Sequence, residues 1–276
     1  MIMRDFLGFG IAGNFALHLE QAGEFKDFVD IKTEEKYAPK GIFPFYSPKS
    51  SNHLKNYCFD NVNLVLPNES SLNVQAEPEI ALKCEIEYEN GSVKTIKPLA
   101  FMAFNDASVR NDKNATKISQ KKNFSSGSKG FGNEIVIDKF DKTGVCERYS
   151  LVSFLRSEDG FFRYGECAKL SGYSYFYEKL LNWMKKIFNT QKDFAVLEDL
   201  SKILKQNGYK KDVIITIGAT RYEPKGENRF LKRGDEIYIV AFDHNKHSLE
   251  DITELAKTDS DFSKFSDISV LKQVVK

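Results

Sequence analysis

The sequence predicts an α+β domain dominated by strands. Three observations carry that reading. Strand-like apolar runs recur along the chain, several alternating with period two. Turn signals punctuate them, Asn90-Gly91 and Ser157-Glu158-Asp159-Gly160 being the clearest. Apart from a short helix-like run near the start, helical spacing is confined to two segments, residues 173–188 and 195–206.

The chain of 276 residues suits one large domain or two small ones, and 23 phenylalanines supply a sizeable core. We take 1–276 as a single domain. The net charge of +1 implies neither a nucleic-acid nor a membrane-surface partner. No apolar run reaches the roughly eighteen residues of a membrane-spanning helix. The four cysteines, Cys58, Cys84, Cys146 and Cys167, are scattered without C-x-x-C spacing. That argues against zinc and against a disulfide framework, and makes a reducing cytoplasm the simplest setting.

Taken in order, the apolar start reads as a first strand. Gly8, Gly10 and Gly13 form G-x-G-x-x-G between a strand-like and a helix-like run. That is the fingerprint of a dinucleotide-binding unit, but no alternating series of strands and helices follows it. Residues 23–60 are polar, with glycine, proline and aromatics, and read as a long excursion. Residues 62–67 read as a strand leading to Glu77-Pro78-Glu79. Residues two apart on a strand share a face, so Glu77 and Glu79 can present both carboxylates to one side.

The strand of residues 79–88 runs to Asn90-Gly91, a strong hairpin signal. Residues 93–104 return as the partner strand and end in Asn105-Asp106. The hairpin therefore brings Asp106 beside Glu77 and Glu79. Three gathered carboxylates repel unless a proton or cation intervenes. Oxygen-only donors suit Mg²⁺ or Mn²⁺, with Ca²⁺ a further candidate.

Here the chain resembles the fumarylacetoacetate hydrolase family, which carries Glu-x-Glu and then a strand ending Asn-Asp-x-Ser-x-Arg. Glu77-Pro78-Glu79 and Asn105-Asp106-Ala107-Ser108-Val109-Arg110 match. The resemblance implies a strand-dominated mixed β-sheet roll of that family's C-terminal-domain type, with a few helices. It implies Glu77, Glu79 and Asp106 as metal ligands. Asn14 to His18 resembles the family's Asn-Tyr-x-x-His lid, within a 1–60 region of strand, lid and excursion. The resemblance then makes His18 the general base, consistent with an imidazole that titrates near neutrality. Its family partner glutamate falls at Gln21; Glu20 stands one place away and is the implied catalytic partner with which His18 activates water. Lys129-Gly130-Phe131 resembles the family's lysine motif and implies that Lys129 supports a developing oxyanion. Asn14, Arg110 and Thr220 are the implied substrate contacts, Thr220 lying in Gly218-Ala219-Thr220 where the family has Gly-Thr-Pro.

Residues 111–138 read as a polar, lysine-rich loop. Residues 147–170 read as a hairpin, and 173–207 as a helical insertion. Residues 211–220 and 231–242 read as buried strands, and 243–276 as a polar C-terminal tail. The expected activity is divalent-metal-dependent hydrolysis or decarboxylation of small acylpyruvate-like, β-dicarbonyl or 2-oxo acids. C–C cleavage leaves a carbanion that a cation can hold as an enolate. The resemblance further implies a homodimer. The alternatives are a catalytically impaired small-molecule binding protein on the same scaffold, and nucleotide binding through Gly8, Gly10 and Gly13.

Overall fold

The computed structural model describes residues 5–276 apart from residues 16, 17, 24 and 36; of Leu19, Glu20 and Phe25 only the backbone is described. In chain order the strands are β1 (Leu7–Ala12), β2 (Gly41–Tyr46), β3 (Asn63–Leu64), β4 (Val74–Gln75), β5 (Pro78–Glu89), β6 (Ser92–Asp106) and β7 (Ser108–Val109). They continue with β8 (Lys129–Phe131), β9 (Ile135–Val136), β10 (Tyr149–Ser157), β11 (Gly160–Lys169), β12 (Asp212–Thr216), β13 (Glu236–Asp243) and β14 (Ile268–Val275). The helices are α1 (His18–Gln21), α2 (Ile118–Lys122), α3 (Tyr177–Thr190), α4 (Leu200–Gln206), α5 (Pro224–Glu227) and α6 (Leu249–Lys257).

The expected strand-dominated α+β architecture is what the chain forms. A seven-stranded sheet runs β2-β1-β12-β5-β6-β8, with β9 also pairing β6. A five-stranded sheet runs β11-β10-β13-β14-β3. Both are mixed: β1 is parallel to β12 and β14 to β3 among otherwise antiparallel pairs. The sheets pack face to face, so that Ile80, Leu82 and Phe101 share one buried cluster with Leu151, Ile237, Ile239 and Leu271.

The long β5–β6 hairpin organises the site. Asn90 and Gly91 both take left-handed backbone angles, φ 52° and 78°, as a two-residue hairpin of this hand requires. From there the ladder runs to Pro78 opposite Asn105 and Glu79 opposite Phe104. The turn end is partly exposed, whereas residues 77–82 and 100–106 are buried. The second face of the hairpin is covered by Phe43, Phe45 and Phe59, which cluster with Ala81, Met102 and Phe104. The acidic end of the hairpin therefore lies deep between layers. Pro78 stands at the first position of its strand, where a missing N–H is tolerated.

Several segments depart from their sequence reading. Strand β1 is followed by the four-residue α1 and then by β2, which returns antiparallel beside it. That is not the parallel crossover of a dinucleotide unit. Gly8 and Gly10 are small for packing reasons: a Cβ there would come within 2.1 Å of Phe45 and 2.3 Å of Phe43. The stretch read as a loop after Arg110 contains α2, β8 and β9. Of the strand expected over residues 62–67 only Asn63–Leu64 pairs. The first insertion helix starts at Tyr177, because Ser174 N–H is tied to the Asn14 carbonyl at 2.9 Å.

The largest departure is the C-terminal tail. It folds into α6 and β14, and β14 lies between β13 and β3. Its Gln273 reaches across to donate to the Asp60 and Gly127 carbonyls and to accept from Asn105.

Candidate metal centre

The three carboxylates predicted from the sequence do meet. One oxygen from each of Glu77, Glu79 and Asp106 lies within 4.8 Å of the others. All three are buried, with exposures of 4%, 2% and 0%. The ladder fixes them: Asp106 N–H donates to the Glu77 carbonyl at 3.0 Å, and Glu77 N–H donates to Asn105 Oδ1 at 3.1 Å. Asn105, the residue before the aspartate, thus acts as a clamp between the two strand ends.

The charge around them was only half legible in the sequence. Arg110 Nη1 lies 2.7 Å from Glu77 Oε1, while its Nε donates to Gln75 and its Nη2 to the Tyr222 hydroxyl, both at 2.8 Å. Arg110, expected to touch substrate, here holds Glu77. Strand β8 pairs with β6 so that Lys129 sits opposite Asp106. Its Nζ is 2.8 Å from Asp106 Oδ1 and donates to the carbonyls of Ala107, Lys122 and Ser128 at 3.1, 2.6 and 3.0 Å. Lys129 is therefore packed behind Asp106.

Sequence reasoning missed Lys122. Its Nζ is 2.6 Å from Glu77 Oε2 and 2.8 Å from Asp106 Oδ2, and it also bonds the Asp106 carbonyl at 3.2 Å. The lysine run looked solvated, yet Lys122 is 3% exposed. A usable signal existed. Ile118 is the one strongly apolar residue of α2, and Lys122 lies four positions on, over the same helix face.

Burial alone would push the Glu77 carboxyl up, but Lys122 and Arg110 outweigh it and hold it at about 2. Burial, aided by the neighbouring Asp106 and Glu77 charges, pushes Glu79 well above the usual carboxylate range; Lys122 and the Gly218 N–H only partly oppose it. That N–H donates to Glu79 Oε2 at 2.9 Å, from a glycine whose φ of +111° few other residues adopt. Burial pulls the Lys129 ammonium down, and Asp106 pulls the other way.

The carboxylates face a hollow of about 20 Å³, walled nearby by His18, Phe28, Phe43 and Lys122. Such a space holds about one water or a bare ion. His18 is 4% exposed and its ring lies 5.4 Å from that of Tyr222, so it is buried at the centre rather than on a helix surface. Gln21, at the family's glutamate position, accepts from Tyr222 N–H at 3.0 Å and donates to the Tyr222 carbonyl at 3.3 Å. The Glu20 side chain lies outside the described residues. Asn14 donates to the Tyr175 and Ile217 carbonyls and accepts from Tyr175 N–H. Thr220 is buried, with its hydroxyl 3.5 Å from the Pro78 carbonyl; Ala219 is the residue of that turn that lines the hollow.

Three buried oxygen donors within one ion's reach are a donor set suited to a hard divalent cation. The four cysteines are all free, and none belongs to the group. Among the described residues no helix is long and apolar enough to cross a membrane.

Comparison with solved structures gives the fold. A protein named Cg1458, solved with an inhibitor, shares 15% identity at a TM-score of 0.58; the match covers 99% of this chain and 77% of that one. A 5-carboxymethyl-2-hydroxymuconate delta-isomerase from Mycobacterium smegmatis matches at 14% identity and TM-score 0.54, covering 98% and 78%. A 2-keto-3-deoxyarabinonate dehydratase matches at 16% identity and TM-score 0.54, covering 98% and 73%. No curated protein matches the sequence. The family model for DUF5718, a family of unknown function, matches residues 24–275. The chain thus belongs to DUF5718, and its fold is that of the fumarylacetoacetate hydrolase family.

Proposed function

We propose that this chain is an enzyme acting on a small 2-oxo or β-dicarbonyl acid at the Glu77–Glu79–Asp106 centre, with Mg²⁺ or Mn²⁺ held by those three carboxylates. The observation that carries this reading is the convergence of three buried carboxylates, within 4.8 Å, beside a buried histidine. The names of the neighbours, a delta-isomerase and a keto-acid dehydratase, support small carboxylic acids as substrates of this fold.

When bound, a divalent cation supplies Lewis-acid stabilisation of an enolate formed next to a carbonyl. The protein does the rest. Asn105 and Arg110 orient Glu77, Lys129 orients Asp106, and the Gly218 N–H orients Glu79. His18 takes or returns the proton, the role its buried position beside Glu77 allows. Phe28 and Phe43 exclude bulk water, which strengthens every charge interaction at the centre. A hollow of about 20 Å³ is too small for an oxo acid, so its wall must open for the acid to enter. The reaction we favour is hydrolysis or decarboxylation of an acylpyruvate-like acid, with isomerisation and dehydration as the competing outcomes.

The test is turnover of an acylpyruvate, oxaloacetate and a 2-keto-3-deoxy sugar acid, with Mn²⁺ and with EDTA. One of the three is expected to turn over with Mn²⁺ only, and His18→Asn is expected to lower that rate by about 10²-fold or more. Turnover untouched by EDTA would contradict the metal role. A non-catalytic binding protein is favoured by one observation, the amide of Gln21 tied to Tyr222 where the family has a carboxylate. That reading predicts stabilisation by these acids without turnover.

A further inference from the structure

We propose that Lys122 is a resident cation of this centre: its ammonium occupies the position from which a divalent ion would bridge Glu77 and Asp106, so that ion and ammonium exclude one another. The inference rests on the metal reading above and concerns what governs access to that site.

Three observations carry it. First, every oxygen of Glu77 and Asp106 already faces a cation. Arg110 takes Glu77 Oε1 at 2.7 Å and Lys129 takes Asp106 Oδ1 at 2.8 Å; Lys122 takes the remaining oxygen of each, at 2.6 and 2.8 Å. Second, Lys122 is the lysine that borders the hollow, with its Nζ 5.4 Å from the Phe43 ring centroid. Lys129 cannot be the group that yields, because three main-chain carbonyls hold its Nζ from behind. Third, the two carboxylates of Glu77 and Asp106 already meet three cations at 0–7% side-chain exposure. A divalent ion entering beside Lys122 would bring its whole charge unmatched into a buried site, where unpaired charge is strongly disfavoured. Departure of the ammonium removes that conflict and frees two oxygens at once. The ammonium is thus a tethered stand-in that keeps the acidic cluster folded when no metal is present.

The experiment is calorimetric titration of Mn²⁺ into the unliganded full chain, comparing wild type with Lys122→Met, Lys122→Arg and Glu79→Gln. Lys122→Met is expected to bind Mn²⁺ about ten- to a hundredfold more tightly than wild type, the range set by losing a charged hydrogen-bonded competitor. Lys122→Arg, which keeps the charge, is expected to bind no more tightly than wild type. In EDTA, Lys122→Met is expected to melt below wild type, and Mn²⁺ to restore it. Where Lys122→Met fails to fold, Lys122→Gln keeps hydrogen bonding without charge and carries the same expectation. Wild-type binding that Glu79→Gln abolishes but Lys122→Met leaves unchanged or weakens would overturn the exclusion while the metal reading stands. No Mn²⁺ binding by wild type, Lys122→Met or Lys122→Gln would overturn both.

Discussion

Removing Asp106 should damage the fold as well as any activity. Asp106 is 0% exposed and is the shared partner of two buried ammonium groups, each at 2.8 Å. Breaking a buried ion pair from one side costs about 3–5 kcal/mol, because the abandoned charge stays buried. Lys129 keeps its three carbonyls and Lys122 keeps Glu77, which places Asp106→Ala toward the lower end. For a chain of this length the loss corresponds to a drop of roughly 6–12 °C in melting temperature. Guanidinium unfolding in EDTA, by linear extrapolation, reads it directly. Asp106→Ala combined with Lys129→Met should recover part of the loss, since the double variant leaves one fewer stranded charge. An Asp106→Ala protein within about 1 kcal/mol of wild type would show that these ion pairs are not formed as described, and the charge argument would fall with them.

Two further outcomes follow. Burial pushes the Glu198 carboxyl up to about 7, with Ser119 and Lys117 opposing. Its folded value exceeds its unfolded one, so the folded state holds the extra proton, and stability falls as pH rises from about 4.5 to about 7. Glu198→Gln should flatten that slope and be the more stable protein above pH 7, by on the order of 1–3 kcal/mol; an unchanged pH profile in melts from pH 4.5 to 8 refutes this. Gly8→Ala should destabilise by about 1–3 kcal/mol through overpacking against Phe45, 2.1 Å from the new Cβ, while the titration of any added NADH shows no binding in either protein. Tight NADH binding by wild type would revive the nucleotide reading of Gly8, Gly10 and Gly13.

The parts legible in the sequence are those governed by local chemistry. Asn90-Gly91 demanded a tight turn, the flanking runs demanded strands, and together they placed Asp106 beside Glu77 and Glu79 without any knowledge of distant contacts. What stayed hidden depends on pairing across the chain. Lys122 lies in a run of polar and basic residues whose composition is that of a solvated loop, and only the four-residue offset from Ile118 marks its inward face. Strand β14 alternates imperfectly, as ISVLKQVV, and becomes a strand by lying between β13 and β3. Arg110 matched a motif that implied a substrate contact. Its actual bonds to Glu77, Gln75 and Tyr222 require β4, β5 and the 218–222 turn to converge, which no local pattern encodes.

The measurement that tests the metal centre most directly is a thermal melt of wild type, Glu79→Gln and Lys122→Met in EDTA, in Mn²⁺, and in Mn²⁺ with oxalate, a chelating mimic of an oxo-acid enolate. Glu79→Gln is the suitable variant because an amide oxygen can still accept the Gly218 N–H, so the fold survives. A ligand at about a hundred times its dissociation constant stabilises by roughly 2.7 kcal/mol, or several degrees here. The account predicts that Mn²⁺ with oxalate raises the melt of wild type by this amount and leaves Glu79→Gln where EDTA leaves it. The same shift in wild type and Glu79→Gln, or no shift in either wild type or Lys122→Met, would contradict a cation centre at Glu77, Glu79 and Asp106.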